Sequence, residues 1–155
     1  MVENEKILVG WDGSEKSRNA LRYAIDEAKD KGLKSITAVH VEKGESARLR
    51  AMLKDYKIEV DRDILKNERS KIGSLLKEAE SIGDEEGMKV EARVIKHGYG
   101  PAVDIVKFAE KNSFKHIIIG SHGRSGISRI ALGSVARGIV EKAHCIVTVV
   151  RCSWP

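Results

Sequence analysis

The chain alternates between short apolar runs and segments in which apolar residues recur at helical spacing. The short runs are bounded by turn residues and predict strands. They cover residues 6–10, 35–41, 89–96, 115–119 and 145–150. Between them, apolar positions three and four residues apart predict helices after Ser14, from Val60, from Pro101 and after Ser134. The charged residues 42–58 carry only scattered apolar positions and predict a partly helical, mobile segment.

This alternation of strands and helices predicts the fold class. Strand-helix-strand order with short connections implies right-handed crossovers and an α/β fold, a doubly wound five-stranded parallel sheet, Rossmann-like, with helices on both faces. In the run 89–96, apolar and charged residues alternate, which indicates an edge strand with one wetter face. The sequence contains no internal repeat, and its composition does not change along the chain in a way that indicates a second domain. Residues 1–155 are therefore expected to form a single domain.

Composition narrows the class of protein. The chain has 155 residues, of which 41% are hydrophobic and 33% charged, a typical soluble globular composition. The first six residues are polar, unlike a signal peptide, and no apolar run approaches a membrane span, so a cytoplasmic location is expected. The net charge is +5, but the charges are interspersed and aromatic residues make up only 5%, which argues against nucleic-acid binding.

The two cysteines do not indicate a metal site. Cys145 lies in the last apolar run and is expected to be a core thiol, whereas Cys152 is expected to be exposed. Neither has partners at zinc-site spacing, and His144 beside Cys145 does not provide them. No metal held by protein ligands is therefore predicted.

A glycine-rich segment after the fourth run is the strongest functional signal. Gly120 and Gly123 follow the run directly, and Gly133-Ser134 open the last helix. A strand, a glycine-rich loop and a helix start in that order form anion sites, because backbone N–H groups and the helix dipole converge there. Residues 122–142 carry four arginines and lysines against one acid, which also favours an anion. A glycine cluster alone fits a mobile surface loop equally well.

The spacing of this segment excludes two phosphate-binding motifs and matches a third. There is no Gly-Lys-Ser/Thr, and no G-x-G-x-x-G follows a strand. Gly120, Gly123, Gly133 and Ser134 instead fit G-x2-G-x9-G-(S/T), with His122 inside Gly-Ser-His-Gly. With this motif, the chain resembles the ATP-binding branch of the universal stress protein family. The resemblance extends from the first strand and the Asp-Gly-Ser that follows it to the last strand.

The resemblance implies a topology, a ligand and a site. The implied strand order is 3-2-1-4-5, and the implied ligand is ATP, with Mg²⁺ or Mn²⁺ held mainly by the phosphates and water. Asp12 is implied to hold the nucleoside end, and the backbone of Val41 to meet the adenine ring. Gly120 and His122 are implied to lie near the ribose and phosphates. The phosphate oxygens would then contact the N–H groups of Gly123, Gly133, Ser134, Val135 and Ala136.

Three residues of the implied site keep alternative interpretations. Asp12 could merely cap the first helix, and His122 could merely order its turn. Trp11 stands where many ATP-binding members have a proline or a small residue. Its indole could stack on the base or partly occlude the pocket.

No catalytic residue is predicted. Hydrolysis needs a positioned water, a base and neutralisation of the γ-phosphoryl charge, and no residue stands out for these tasks except Asp12, already committed to the nucleoside. A Ser121–His122–Asp12 triad is not expected, because adjacent residues on one loop do not normally face each other as nucleophile and base.

Three functions therefore stay open. The chain could be a nucleotide-binding stress or regulatory module, signalling through occupancy or dimer state. It could be a slow ATPase or phosphotransferase completed by a partner. It could also be a nucleotide-free interaction protein, against which the intact glycine spacing argues.

The last apolar run predicts how copies of the chain associate. Residues 145–150 would leave an apolar sheet edge unpaired in a monomer, and such edges are usually covered. The resemblance implies antiparallel pairing of this strand across a two-fold axis. A homodimer is therefore expected, and no other protein partner is identified.

Overall fold

The structure, a computed structural model, describes residues 5–42, 62–122 and 131–153. Its elements are β1 Ile7–Gly10, α1 Glu15–Asp30, β2 Ser35–Val41, α2 Arg62–Glu86, β3 Lys89–Ile95, α3 Pro101–Lys111, β4 His116–Gly120, α4 Ser134–Lys142 and β5 Ile146–Val150. Each predicted strand is present within one residue of its expected ends. Segment 43–58, the predicted helix start at Val60, and Gly123 lie outside the described residues. Within them, no helix is long and apolar enough to cross a bilayer.

The strands form one parallel sheet in the order β3-β2-β1-β4-β5, which confirms the expected topology. β1 is central and pairs with β2 on one side and β4 on the other. β3 lies at one edge, as its alternating pattern predicted, and β5 lies at the opposite edge. The α/β class and the doubly wound order are therefore both confirmed.

The central strand is buried on both faces. Ile7 and Val9 pack against α1 and α2 in one core, whereas Leu8 packs against α3 and α4 in the other. Because neighbouring residues of β1 serve opposite cores, every position must be apolar. This explains why the run reads as continuous rather than alternating.

Local sequence signals set the starts of two helices. The Ser14 hydroxyl accepts a hydrogen bond from the N–H of Ser17 at 3.2 Å and caps α1, as its position predicted. Pro101 occupies the first turn of α3, where its missing N–H costs nothing. Gly100 before it has a φ of 132°, a conformation that only glycine adopts without strain.

The adjacent strands β1 and β4 send their chains to opposite faces of the sheet. α1 follows β1 and packs in the first core, whereas α4 follows β4 and packs in the second. Connections that diverge in this way leave a crevice at the carboxyl ends of the two strands, where α/β proteins commonly bind ligands. The candidate residues after β1 and β4 meet at this crevice.

Candidate functional site

Helix α4 begins directly beside the end of β4. The N–H of Gly133 donates a 2.7 Å hydrogen bond to the carbonyl of Ser121, the residue after β4. A Cβ on Gly133 would lie 3.1 Å from that carbonyl oxygen and 3.3 Å from the Cα of His122. Glycine at this position therefore brings the two ends of the glycine-rich segment together.

The first turn of α4 has the features of an anion site. Gly133 is its N-cap residue and supplies no side-chain acceptor, and no acid lies in the first turn. The N–H groups at a helix start need partners from outside the helix and carry the positive end of its dipole. Ser134 is exposed, Val135 is half-buried and Ala136 is buried, so the start of the turn is open to a ligand.

His122 contacts the residue before it. Its Nδ1 lies 3.1 Å from Oγ of Ser121, and its Nε2 is buried without a hydrogen-bond partner in the part of the chain described here. These two adjacent loop residues therefore face each other at hydrogen-bond distance. Ser121 is only 2% exposed, however, so its hydroxyl is not placed as a nucleophile for an external substrate.

Gly120 is a glycine for reasons of packing. A Cβ there would lie 2.8 Å from the backbone carbon and oxygen of Lys16, in the first turn of α1. Close approach of α1 to the end of β4 therefore requires glycine. The same lysine reaches the end of β5, where its Nζ donates to the carbonyl of Arg151 at 2.8 Å.

Asp12 lies at the crevice and also caps a turn. Its Oδ1 accepts a hydrogen bond from the N–H of Ser14 at 2.9 Å, and the side chain is partly exposed. The capping interpretation thus describes one of its interactions. A carboxylate has more acceptor sites than one cap uses, so the two interpretations are compatible.

Val41 ends β2 at the same edge of the sheet. It pairs with Ile95 of β3, and the N–H of Glu42 donates to the carbonyl of Ile95 at 2.9 Å. The end of β2 is tied to the end of β1 through the N–H of Trp11, which donates to Val39 at 2.8 Å. The structure therefore brings Val41 to the edge that carries Asp12 and Gly120.

Trp11 belongs to the core rather than to the crevice. The residue is 3% exposed, and its Nε1 donates to the backbone carbonyl of Leu75 in α2 at 2.8 Å. Its own carbonyl lies 3.0 Å from Nδ1 of His40. The indole thus connects α2 to the sheet and packs in the first core.

Asp104 was not singled out from the sequence, and it orders the loop after β3. Its buried carboxylate accepts the N–H groups of Gly98, Tyr99 and Gly100 at 3.0, 3.0 and 3.3 Å. Burial alone would raise the pKa of this carboxyl, but the three backbone donors and the nearby His97 outweigh it and lower the pKa. An acid in the first turn of a helix that begins Gly-Pro was the available signal.

The described residues contain no cluster of three or more metal-ligating side chains. Gly123, the remaining member of the expected phosphate contacts, lies outside the described ranges. The others, Gly133, Ser134, Val135 and Ala136, lie together at the start of α4.

Comparisons with known proteins agree with this architecture. The family model described as the universal stress protein family matches residues 3–151. Universal stress protein MJ0531 of Methanocaldococcus jannaschii is 33% identical over 95% of this chain and 82% of its own length. Universal stress protein YxiE of Bacillus subtilis is 32% identical, with 94% and 98% covered. The universal stress protein from Archaeoglobus fulgidus, solved in complex with dAMP, superposes with a TM-score of 0.65 at 28% identity, covering 94% and 97%. The chain therefore belongs to the universal stress protein family.

Proposed function

We propose that this protein binds an adenine nucleotide, with ATP as the favoured ligand, in the crevice at the carboxyl ends of β1 and β4. The observation that carries the proposal is the start of α4, which lacks a side-chain cap and is held against the end of β4 by the 2.7 Å bond from Gly133 to Ser121. Such a helix start is suited to phosphate. The relative from Archaeoglobus fulgidus that was solved with dAMP supports an adenine ligand.

Each site residue has a proposed role. The N–H groups of Gly123, Gly133, Ser134, Val135 and Ala136 donate to phosphate oxygens, and the Ser134 hydroxyl adds a further donor. Gly120 and His122 lie near the ribose and phosphates, Asp12 holds the nucleoside end, and the backbone of Val41 contacts the base. Buried Nε2 of His122, unpartnered in the described chain, fits a side chain whose partner is a ligand.

A divalent cation, Mg²⁺ or Mn²⁺, accompanies the phosphates in this proposal. The described residues offer no cluster of three metal-ligating side chains, so the cation is held mainly by phosphate oxygens and water. When bound, the cation neutralises phosphate charge. Binding of the cation is therefore expected to depend on the nucleotide.

The proposed role is that of a stress-response or regulatory module in the cytoplasm, formed by one domain that spans residues 1–155. Efficient catalysis is not part of the proposal, because Asp12 already accepts from Ser14 and Ser121 is buried. A slow ATPase or phosphotransferase completed by a partner is the second candidate. A nucleotide-free interaction protein is the third, and the open start of α4 argues against it.

We also propose that the chain forms a homodimer by antiparallel pairing of β5. The Ile146 N–H and the Val150 carbonyl bond toward β4, at 3.2 and 3.0 Å, so Val147 and Val149 direct their backbone groups to the open edge. The residues of β5 carry no charge. The other edge strand, β3, has Lys89, Glu91 and Arg93, and charged side chains of this kind discourage strand addition.

Calorimetric titration with ATP and Mg²⁺ tests the nucleotide proposal, after any co-purified nucleotide has been removed and identified. Micromolar or tighter binding in the wild type that is lost in Gly133→Val supports the site. Gly73→Ala in α2 is the control, because a Cβ there meets nothing within 4 Å. Absence of binding in the wild type, with no nucleotide released on denaturation, would overturn the proposal and favour the interaction protein. Single-turnover hydrolysis, with and without cell extract, distinguishes a binding module from an ATPase.

Analytical ultracentrifugation tests the dimer. Val149→Pro removes an N–H from the open edge of β5 without removing a bond to β4, and it should shift the protein to monomer. Val94→Pro is the matched control, since Val94 lies in β3, the opposite edge strand. The neighbouring residue Ile95 accepts a hydrogen bond from the N–H of Glu42, so Ile95 faces β2 and Val94 directs its own N–H to the open edge. A monomeric wild type, or a dimer unaffected by Val149→Pro, would contradict pairing through β5.

A further inference from the structure

His116 is a buried histidine at the amino end of β4, and the crevice lies at the opposite, carboxyl end of this strand. It is the first residue of β4, pairs with Ile7 of β1 and Ile146 of β5, and is 7% exposed. Its Nε2 lies 2.7 Å from Oγ1 of Thr148, in the edge strand β5. One imidazole side chain therefore connects the interior of the sheet to its outermost strand.

The second ring nitrogen of His116, Nδ1, has no hydrogen-bond partner among residues 5–42, 62–122 and 131–153. Nδ1 is buried and makes no hydrogen bond to any described residue. A buried N–H without an acceptor is costlier than a buried lone pair without a donor, so we assign the proton to Nε2, which donates to Thr148. Nδ1 then carries the lone pair, and it is the atom that a second proton would occupy.

The charged groups near His116 come from two elements packed against β4. Lys31, the residue after α1, has the largest effect of the three charged groups and disfavours a charged ring, whereas Glu27 of α1 and Glu5 before β1 favour it. Both acids are already engaged: Lys31 Nζ lies 2.6 Å from Glu5 and 3.9 Å from Glu27. Glu27 also accepts from the Tyr23 hydroxyl at 3.2 Å.

These surroundings favour the neutral ring. Burial is the largest cause, the repulsion from Lys31 adds to it, and together they lower the pKa of His116 below its ordinary value of 6.5. A proton on Nδ1 would create a buried, charged donor that has no acceptor in the described part of the chain. The protonated ring is therefore stable only if it leaves that position.

We propose that His116 is an acid-sensitive latch that holds the edge strand β5 onto the sheet when it is neutral and releases it when it is protonated. A route to solvent runs past β5, because this strand is outermost and Ile146, the neighbour of His116, is 61% exposed. Leaving by this route breaks the bond to Thr148 and loosens β5 from its amino end. The strand on which the proposed dimer depends would thereby respond to acidification.

Proton linkage sets an upper limit on how far acidification shifts the equilibrium between the buried and the released ring. If the released ring titrates at the ordinary pKa of 6.5, lowering the pH to 5.5 favours release by up to about tenfold. The latch requires no nucleotide and no second chain. Its test is therefore made on β5 itself.

Hydrogen exchange of the amides of Ile146, Thr148 and Val150, which face β4, is corrected for intrinsic exchange rates and tests the latch at pH 7.5 and pH 5.5. We expect protection in the wild type to fall several-fold, up to about tenfold, at the lower pH. His116→Gln keeps a donor for Thr148 but cannot titrate, so its protection should change less than about twofold. His144→Gln is the control, because this side chain is 85% exposed and lies 3.8 Å from Glu110, away from β4. An equal response in wild type and His116→Gln would overturn the proposal.

A second measurement applies even if His116→Gln fails to fold. The imidazole of His116 in the wild-type protein is titrated by NMR. The latch predicts an apparent pKa below 6.5 and a coincident change in the amide signals of β5. Titration at or above 6.5, or titration without any change in β5, would overturn the latch. Sedimentation at both pH values then shows whether release also dissociates the dimer, and a wild type that is monomeric at pH 7.5 would contradict only the dimer.

Discussion

The amide of Gly133 donates to the carbonyl of Ser121 at 2.7 Å, so the chain that leaves β4 returns to the same point to begin α4. This bond closes the glycine-rich segment at its base. It fixes the start of α4 relative to the sheet and therefore fixes the direction of the N–H groups in its first turn. A phosphate site built from backbone depends on that direction.

Replacement of Gly133 by valine should abolish nucleotide binding while leaving the protein folded. The Cβ would lie 3.1 Å from the carbonyl oxygen of Ser121, and the branched side chain would push α4 away from β4. The backbone φ of Gly133 is −62°, which any residue adopts, so the damage comes from lost space rather than backbone strain. Calorimetry and circular dichroism measure binding and folding.

Gly133→Ala provides a graded comparison for this prediction. Its single methyl group meets the same carbonyl oxygen with less bulk, so the affinity should fall by less than in Gly133→Val. Unchanged affinity in both variants would contradict the assignment of the site to the start of α4.

Replacement of Gly120 by alanine should destabilise the fold more than it affects the ligand. The added methyl would lie 2.8 Å from the backbone of Lys16, and two backbones cannot separate cheaply. Overpacking of this kind lowers the free energy of unfolding by about 1–3 kcal/mol. Urea unfolding measures the change, with Gly73→Ala as a control that should be neutral or stabilising. A fully stable Gly120→Ala variant with lost affinity would indicate a ligand role instead.

Trp11→Phe should retain nucleotide affinity and lose stability. The indole Nε1 donates to the carbonyl of Leu75 at 2.8 Å, and phenylalanine leaves a smaller ring without that bond. The free energy of unfolding should fall by about 1–3 kcal/mol, because the smaller ring leaves volume unfilled and the hydrogen bond is lost. Denaturant unfolding and calorimetry distinguish the two effects. A large loss of affinity at unchanged stability would show that Trp11 contacts the ligand after all.

The strands and their order could be predicted from the sequence because each carries a strong local signal. The continuous apolar runs of β1 and β4 indicate strands that are buried on both faces, and the alternating pattern of β3 indicates an edge strand. The strand order itself came from the family resemblance, since periodicity does not specify which strands pair.

The parts of the site that could not be predicted depend on contacts between distant segments. Trp11 follows β1 directly, and its sequence neighbours do not reveal that α2 supplies its acceptor at Leu75. Gly120 sits in a motif that suggests a ligand, yet the atom nearest to its missing Cβ belongs to Lys16. Local patterns define an element and its direction, whereas packing partners follow from the tertiary fold.

Asp104→Asn should loosen the loop after β3 and remove an acid-dependent part of the stability. The carboxylate accepts three backbone N–H groups, and an amide in its place would turn its own NH₂ toward at least one of them. The free energy of unfolding at pH 7 should fall by about 2 kcal/mol. Urea unfolding at a series of pH values measures the loss.

The pH dependence of this loss has a definite sign. The pKa of Asp104 is lower in the folded protein than its ordinary value of 3.8, because the three donors and His97 outweigh the opposing effect of burial. Its contribution is therefore fully present above pH 3.8 and disappears as the pH falls through the lower, folded value. Wild type and Asp104→Asn should accordingly differ at pH 7 and converge in strong acid, separately from any response of His116, which begins near pH 6.5. A stability difference that stays constant down to the acid transition would show that the carboxylate charge does not hold the loop.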